Sequence, residues 1–178
     1  ERPLVIVFLG KRGAGVRFVE IFQNHVQELT RAKVHYLISK RCAKENPDLA
    51  KNSKTVLTFE DWRYLFLTPV IVIQQLYALI GIWRFRKKTF LFLMPSPSDY
   101  LILRLLVFLR CPVFHFIHDA KKHPGEIWPN ESSIELRVKT SKGVFTLSQG
   151  VSEILEDKYR IRTFQLLHPI FPVKSDFL

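Results

Sequence analysis

The sequence predicts a single α/β domain in which helices cover both faces of a mainly parallel sheet of about seven strands. Short apolar runs of strand length recur along the 178 residues and alternate with segments whose apolar residues follow helical spacing. Several of these runs contain no polar residue, which is typical of strands buried on both faces of a parallel sheet. Strands that alternate with helices in this way form a three-layer, Rossmann-like αβα domain.

Composition and charge limit what this domain can do. A hydrophobic content of 47% excludes a disordered chain. Cys42 and Cys111 are too few and too far apart for a disulfide framework or a metal cluster, so we predict a reducing, cytosolic compartment. Twenty-seven basic and 16 acidic residues give a net charge of +11, which favours an anionic partner such as a nucleotide phosphate or a membrane surface. We expect no nucleic acid, because the basic residues are dispersed and no binding module is recognisable.

The first predicted strand, residues 4–9, ends in a glycine-rich loop. Gly10, Gly13 and Gly15 lead into a helical pattern, and the amides of such a helix N-terminus attract phosphate. Three glycines also suit an ordinary tight turn, so both interpretations stay open. The loop lacks the Gly-Lys-Ser/Thr ending of a P-loop, and its glycine spacing reverses the dinucleotide fingerprint. That fingerprint has an acidic residue after the second strand, but here Ser-Lys-Arg follows the second predicted strand, residues 34–38. Basic residues at this position are compatible only with a 2′-phosphorylated dinucleotide.

The middle of the chain changes from polar to strongly apolar. Residues 43–54 are predicted to be a loop, because they are polar and contain Asn-Pro-Asp, and a third strand is predicted at 55–59. Residues 64–83 carry no charge, and a basic cluster follows at 84–88. Thr68, Pro69 and two glutamines weaken the case for a spanning helix, which needs about 20 apolar residues. We predict a buried crossover helix, or a helix in the membrane interface with its basic end at the lipid phosphates, hence peripheral contact with an anionic membrane.

The rest of the sequence continues the alternation. Strands are predicted at residues 89–94, 113–117, 143–147 and 164–167, and a turn at 95–98. A helix is predicted at 99–110. Further helices should begin at a capping box formed by Ser132 and Glu135, and at Ser148.

The most polar strand end follows the predicted strand at 113–117. Histidines, carboxylates, lysines and a glycine crowd this loop: His118, Asp119, Lys121, Lys122, His123, Gly125 and Glu126. In an open α/β sheet, ligands bind outside the carboxyl ends of the strands. A solvated loop with a Pro-Gly turn would have the same composition, so the composition alone does not decide.

Four motifs in this order resemble the N-terminal domain of GT-B glycosyltransferases, most of all the retaining, family 4-like group (group 1). They are the glycine loop at 10–15, His118-Asp119 with His-Pro-Gly-Glu at 123–126, Phe-Thr-Leu-Ser at 145–148 and His-Pro-Ile-Phe at 168–171. The resemblance covers essentially all 178 residues. It implies that residues 1–178 are the N-terminal, acceptor-side half of a GT-B fold, and that the C-terminal nucleotide-sugar-binding domain lies outside this chain.

The resemblance also implies an activity and roles for single residues. The activity is hexosyl transfer with retention, from a nucleotide sugar to a saccharide or lipid-linked acceptor at the cytoplasmic membrane face. No cofactor or catalytic metal is expected, and the isolated domain should be inactive. His118 would be the catalytic residue that contacts the donor sugar. The residues near the donor phosphates would be Gly10, Lys11, Arg12, Gly13 and Gly15. The acceptor-side candidates are Asp119, Lys121, Lys122, His123, Gly125, Glu126 and Ser148.

Two other functions fit the sequence. An NADP-dependent reductase would use the glycine loop together with Lys40 and Arg41. A non-catalytic, membrane-binding subunit of a split glycosyltransferase would need a separate donor-binding subunit as its partner.

Overall fold

One parallel sheet forms the centre of the protein. A computed structural model of the chain describes residues 3–10, 14–29, 34–51, 53–58, 66, 68–83, 88–121 and 130–166. Within these residues the strand order is β3-β2-β1-β4-β5-β6-β7, and every neighbouring pair is parallel. The strands are β1 (Leu4–Phe8), β2 (Val34–Ser39), β3 (Ser53–Val56), β4 (Thr89–Phe92), β5 (Val113–Phe116), β6 (Gly143–Thr146) and β7 (Thr163–Gln165). The predicted Rossmann-like class with about seven strands is confirmed.

Helices cover both faces of this sheet. They are α1 (Ala14–Leu29), α2 (Lys40–Glu45), α3 (Pro47–Lys51), α4 (Thr68–Trp83), α5 (Tyr100–Phe108), α6 (Glu131–Thr140) and α7 (Gln149–Tyr159). Helices α1 to α3 pack against Ile6 and Phe8 of β1, while α4 and α5 pack against Val5 and Val7 on the other face. Helices α6 and α7 lie on the same face as α5, where they pack against Val144. Of the described helices, none is long and apolar enough to cross a bilayer.

The loop predicted at residues 43–54 is wrong, because most of this segment is helical. Ser39 caps α2 by accepting a hydrogen bond from the Cys42 amide at 3.0 Å. Asn46 accepts from the Leu49 amide at 3.1 Å, and Pro47 occupies the first position of α3. Cys42 and Leu49 are fully buried, so packing stabilises two short helices where the composition is typical of a loop. Strand β3 then begins at residue 53, earlier than predicted.

The capping box predicted at Ser132 and Glu135 is also wrong. Helix α6 begins at Glu131, and the side chain of Asn130 caps it by accepting from the Ser133 amide at 2.9 Å. Ser132 therefore lies inside the first turn. Glu135 pairs with Lys139, one turn along the same helix, at 2.5 Å.

Candidate functional site

The candidate site lies at the carboxyl edge of the sheet, where the direction of strand addition reverses. After β1 the chain adds β2 and β3 on one side, and then returns to add β4 on the other side of β1. In open α/β sheets a crevice for ligands forms at such a switch point. The segments that border it are the loop after β1, which begins at Leu9, and the turn after β4, which contains residues 96–99 and is called the switch-point turn below.

Two serines from neighbouring strands hold the beginning of the β1 loop. Ser39, the last residue of β2, donates from Oγ to the Gly10 carbonyl at 2.9 Å. Ser96 donates from Oγ to the Leu9 carbonyl at 3.2 Å. Glycine is needed at position 10, because a Cβ there would lie 2.6 Å from the buried ring of Phe8. Leu9 and Gly10 are therefore held between the residues that follow or end β2 and β4.

Helix α1 points its N-terminus at the same edge. Gly15 lies in the first turn of α1, and that turn contains no acidic residue. The partial positive charge at this end of the helix dipole is therefore not neutralised by a carboxylate within the first turn, which favours an anion nearby.

His118 is the first residue beyond the sheet at the end of β5. The Ile117 amide donates to the Phe145 carbonyl at 2.9 Å, so sheet pairing holds the chain up to this point. The His118 side chain is 48% exposed, and its Nδ1 lies 3.0 Å from Oδ2 of Asp119. When Nδ1 carries the proton and donates it to Asp119, Nε2 is left as an acceptor. Strand β4 alone separates β1 from β5, so His118 and Gly10 leave strands that are about 10 Å apart.

Ser148 leaves the next strand, β6, at the same edge. It is the N-cap of α7, and its Oγ accepts from the Val151 amide at 3.3 Å, which confirms the helix start predicted there. The residue is exposed, and a hydroxyl that accepts one hydrogen bond can still donate one. Lys121, two residues after Asp119, is exposed as well.

The structure therefore gathers part of the predicted site along one edge. The candidates found there are Gly10, Gly15, His118, Asp119, Lys121 and Ser148. The other candidates lie outside the described residues, and their roles stay predictions: Lys11, Arg12, Gly13, Lys122, His123, Gly125 and Glu126.

A buried ion pair supports this edge from below. Arg137 of α6 and Asp99 of the switch-point turn are paired through Nη2 and Oδ1, and each side chain is only 1% exposed. Arg137 also donates to the carbonyls of Ser96 and Ser133, both at 3.0 Å. Asp99 accepts from the Ser96 amide at 2.9 Å. Burial raises the pKa of Asp99 to about 6, although the Arg137 charge acts in the opposite direction.

The switch-point turn is also joined to α4. Gln75, which is buried, donates from its side-chain amide to the Ser98 carbonyl at 3.2 Å. Together with the Ser96 bond to Leu9, just after β1, and the bonds from Arg137 of α6, this contact ties the turn to three separate parts of the fold. The position of the turn at the crevice is therefore fixed by buried hydrogen bonds.

His115 lies on β5, next to this ion pair, and is almost fully buried. Its ring stacks on Phe92 with 4.8 Å between centroids, and its Nδ1 lies 2.8 Å from Oγ of Ser141. Ser141 donates its own hydroxyl proton to the Arg137 carbonyl at 2.6 Å, so Nδ1 of His115 must be the donor to Ser141. Burial first, and then the Arg137 charge, lower the pKa of His115 well below 6.5.

The low pKa of His115 predicts that the protein loses stability as the pH falls through about 6.5, the ordinary value for histidine. Below that pH His115 is protonated in the unfolded chain but stays neutral in the folded protein. This difference lowers the free energy of unfolding by up to about 1.4 kcal/mol between pH 7.5 and 5.5. Asp99 acts oppositely, because its raised pKa lets the folded state take up a proton near pH 6. In His115→Phe we therefore expect stability to rise, not fall, as the pH decreases from 6.5 to 5. The midpoints of urea unfolding, measured from pH 6.5 to 5, test this expectation. If the stability of the variant depended on pH as that of the wild type does, the assignment to His115 would be contradicted.

The buried network was missed in the sequence, although part of it left a signal. Ser96 and Asp99 are three residues apart with Pro97 between them, and they form a capping box around the turn. Arg137 left no such signal, because it lies 38 residues from Asp99 and only the fold brings them together. His115 was visible as a polar residue inside an apolar strand.

Several solved structures share this fold. The UDP-GlcNAc 2-epimerase from Neisseria meningitidis, bound to UDP-GlcNAc, matches with a TM-score of 0.64 and 11% identity over 91% of this chain and 46% of that one. The UDP-GlcNAc 2-epimerase from Methanocaldococcus jannaschii matches with a TM-score of 0.65 and 13% identity over 91% and 45%. Arabidopsis thaliana UGT89C1, complexed with UDP-L-rhamnose, matches with a TM-score of 0.61 and 14% identity over 100% and 55%. No protein-family model matches the sequence, and no curated protein is significantly similar to it.

These neighbours have the GT-B fold, in which two Rossmann-like halves face each other. The chain spans about half the length of the structures that it matches. It has the fold of one half of a GT-B protein, as the motifs in the sequence predicted.

Proposed function

We propose that this chain is the N-terminal, acceptor-side half of a glycosyltransferase that moves a hexosyl group, with retention, from a nucleotide sugar to a lipid-linked or saccharide acceptor at the cytoplasmic face of a membrane. One observation supports it above the others. An exposed histidine paired with a carboxylate follows strand β5, and β5 lies about 10 Å from β1, the strand that leads into the glycine loop and the N-terminus of α1. The fold neighbours with bound UDP-sugars support the choice of donor class.

The glycine loop would stabilise the leaving group. A departing nucleoside diphosphate develops negative charge, which backbone amides and a helix N-terminus stabilise without a nucleophile from the protein. Gly10 lets the chain leave β1 in contact with the Phe8 ring, and the first turn of α1 has no carboxylate to repel the diphosphate. Lys11 and Arg12 would add positive charge. The transfer that we propose therefore requires neither a metal ion nor a cofactor.

His118 would contact the donor sugar at the point of transfer. With Asp119 holding the Nδ1 proton, Nε2 can accept a hydrogen bond from a sugar hydroxyl and orient the ring. Asp119 acts on this contact through the histidine, so it is a positioning residue in this mechanism. Ser148 and Lys121, which are both exposed, would bind the acceptor together with Lys122, His123, Gly125 and Glu126.

The activity would need a second half, because the donor binds between the two halves of a GT-B protein. That half would be a C-terminal domain of the same polypeptide or a separate subunit. We therefore expect the 178 residues alone to bind a nucleotide sugar weakly and to transfer nothing.

The test is a comparison of the 178-residue chain with the complete protein or two-subunit complex. Both would be titrated calorimetrically with UDP-sugars, GDP-sugars and NADPH, and transfer would be followed by release of nucleoside diphosphate. We expect saturable binding of one nucleotide sugar by the complete protein, and product with the anomeric configuration of the donor by NMR.

Other results would identify the alternatives. Tight, saturable binding of NADPH would favour a reductase that uses Lys40 and Arg41. Transfer that persists when this half is replaced by a membrane tether alone would make it a non-catalytic subunit. Robust transfer by the 178 residues alone would contradict the two-half arrangement.

A further inference from the structure

The outer face of α4 is apolar and exposed. Val70, Ile73, Tyr77 and Ile80 follow helical spacing along one side, and the last three are 64%, 78% and 68% exposed. The opposite side, which contains Ile71, packs on the sheet and is buried. An amphipathic helix of a water-soluble domain has polar residues on its outer face, whereas α4 has none there.

The neighbouring helix α5 extends this surface. Helices α4 and α5 contact each other and pack on the same face of the sheet, so their outer sides lie next to each other. Tyr100, Val107 and Phe108 are exposed on the outer side of α5, and Phe108 is 80% exposed. Phe66, just before α4, is 82% exposed. We call this set of exposed residues on α4 and α5, with Phe66, the α4–α5 surface.

Helices α6 and α7, which lie on the same face of the sheet, are different. The outer sides of α6 and α7 carry exposed charged residues, including Lys139, Glu153 and Asp157. Lys158 of α7 pairs with Glu131 of α6 across the two helices. The outer surface of α6 and α7 is therefore typical of a solvent-exposed surface. The outer surface of α4 and α5 is typical of one that contacts an apolar partner.

The charges around the α4–α5 surface indicate what covers it. Helix α4 has no charged residue, and the single charge in α5 is Arg104, which is exposed and lies 5.1 Å from the centre of the Tyr100 ring. Arg110, just after α5, is exposed too. Neither helix contains a carboxylate. Lys88, which we predicted to belong to a basic cluster, is buried and contributes nothing to this surface.

An apolar surface with cations and aromatic side chains, and without acidic residues, complements an anionic bilayer. A second copy of the chain fits less well, because a symmetric contact would place Arg104 of both copies in one interface to which neither helix contributes a carboxylate. Since α4 is buried on one side by the sheet, it would lie in the plane of the interface, not across it.

We propose that the α4–α5 surface docks this domain on an anionic membrane, with Ile73, Tyr77, Ile80 and Phe108 in the apolar layer and Arg104 and Arg110 at the lipid phosphates. Tyr100 belongs to this surface and directly follows Asp99 of the switch-point turn, so the membrane meets the protein beside the candidate site. If the proposed transferase function holds, on which this step rests, the docking selects a lipid-linked acceptor over a soluble saccharide.

Co-sedimentation with vesicles tests the docking without donor, acceptor or turnover, so its outcome does not depend on the proposed activity. The protein should bind vesicles that contain phosphatidylglycerol more tightly than vesicles of phosphatidylcholine alone. The triple variant Ile73→Gln, Tyr77→Gln, Ile80→Gln should lose at least about 10-fold in affinity, because three apolar side chains no longer leave water. Arg104→Gln with Arg110→Gln should lose about 25-fold on anionic vesicles, at about fivefold for each arginine.

The chain offers a closely matched control for the arginine pair. The double variant Arg160→Gln, Arg162→Gln also removes two exposed arginines. Arg160 matches Arg110 in having a positive φ. Arg162 matches Arg104 in lying over an aromatic ring. This control should bind as the wild type does. Equal losses in both double variants would mean that net charge, and not the α4–α5 surface, drives binding, and would overturn the proposal.

A labelled cysteine keeps the test decisive if the triple variant folds poorly. An environment-sensitive fluorophore at Tyr77→Cys should shift to the blue on anionic vesicles, and one at Glu153→Cys, on α7, should not. Cys42 and Cys111 are buried, which favours labelling at the introduced site. No shift at position 77, or a wild-type chain that ignores vesicles but dimerises through the residues changed in the triple variant, would show that a bilayer does not cover this surface.

Discussion

Replacing His118 with alanine is expected to lower the turnover of the complete protein in the proposed sugar transfer by about 10- to 1000-fold, the range seen when one positioned polar group that stabilises transition-state charge is removed. The fold should survive, because the side chain is 48% exposed and lies beyond the last sheet bond of β5. Steady-state kinetics and circular dichroism on the same preparation measure both effects. Asp119→Asn should lose less than His118→Ala, because it leaves the imidazole in place and weakens only its orientation.

Two comparisons separate a catalytic histidine from a structural one. His118→Gln retains an acceptor and should recover part of the lost turnover. Lys142→Ala changes an exposed side chain at the opposite, amino edge of the sheet and should have no effect. Near-normal turnover of His118→Ala, with its melting temperature unchanged, would remove His118 from the mechanism.

The largest effect on stability is expected at the buried ion pair. Asp99→Asn leaves the Arg137 guanidinium charged and without its carboxylate in a site that is 1% exposed, and should destabilise the protein by about 3–5 kcal/mol. Arg137→Met leaves a carboxyl group, which can become neutral by taking up a proton. Because burial already raises the pKa of Asp99 to about 6, loss of the positive charge should raise it further. The Arg137→Met variant should therefore be less destabilised at pH 5.5 than at pH 8. The loss in Asp99→Asn should instead be somewhat larger at pH 5.5, because Asn lacks the carboxyl group whose proton uptake near pH 6 stabilises the folded wild type.

Helix α6 supplies the control for this experiment. Lys139→Met removes an exposed lysine that pairs with Glu135 on the same helix, two residues from Arg137, and should change stability little. Urea unfolding at both pH values measures all variants. The double variant Asp99→Asn, Arg137→Met should lose much less than the sum of the two single losses, since no charge remains buried. A strictly additive double variant would show that the two residues stabilise the fold independently.

The sheet could be predicted because its central strands β1, β4 and β5 are short, mostly apolar and largely buried on both faces. Residues 4–8 contain no polar side chain, and Ser148 precedes a helical pattern as a capping residue should. The errors arose where local composition and tertiary packing disagree. Asn46-Pro47-Asp48 is typical of a loop, yet burial of Leu49 makes it the beginning of a helix. Ser132 and Glu135 have the spacing of a capping box, yet Asn130 caps the helix.

The candidate site could be predicted only in part. His118 and Gly10 were visible because each follows an apolar strand, and the carboxyl edge of a parallel sheet collects such residues. The buried ion pair of Arg137 and Asp99 could not be predicted, because the switch-point turn that supplies the partners of Arg137 is far from it in the sequence. Lys88 shows the same limit, since a lysine in a basic run is expected to be exposed and this one is buried.

The strand order has a consequence for how the protein is made. Strand β1 pairs with β2 on one side and with β4 on the other, and β4 is more than 80 residues further along the chain. During synthesis β1, β2 and β3 can pair as soon as they leave the ribosome, but the second edge of β1 stays open until β4 has emerged. That edge consists of apolar residues that end fully buried, such as Ile6 and Val7. The nascent chain therefore exposes one unpaired, aggregation-prone edge of β1 for several seconds at ordinary elongation rates. This is the interval in which chaperones protect such edges.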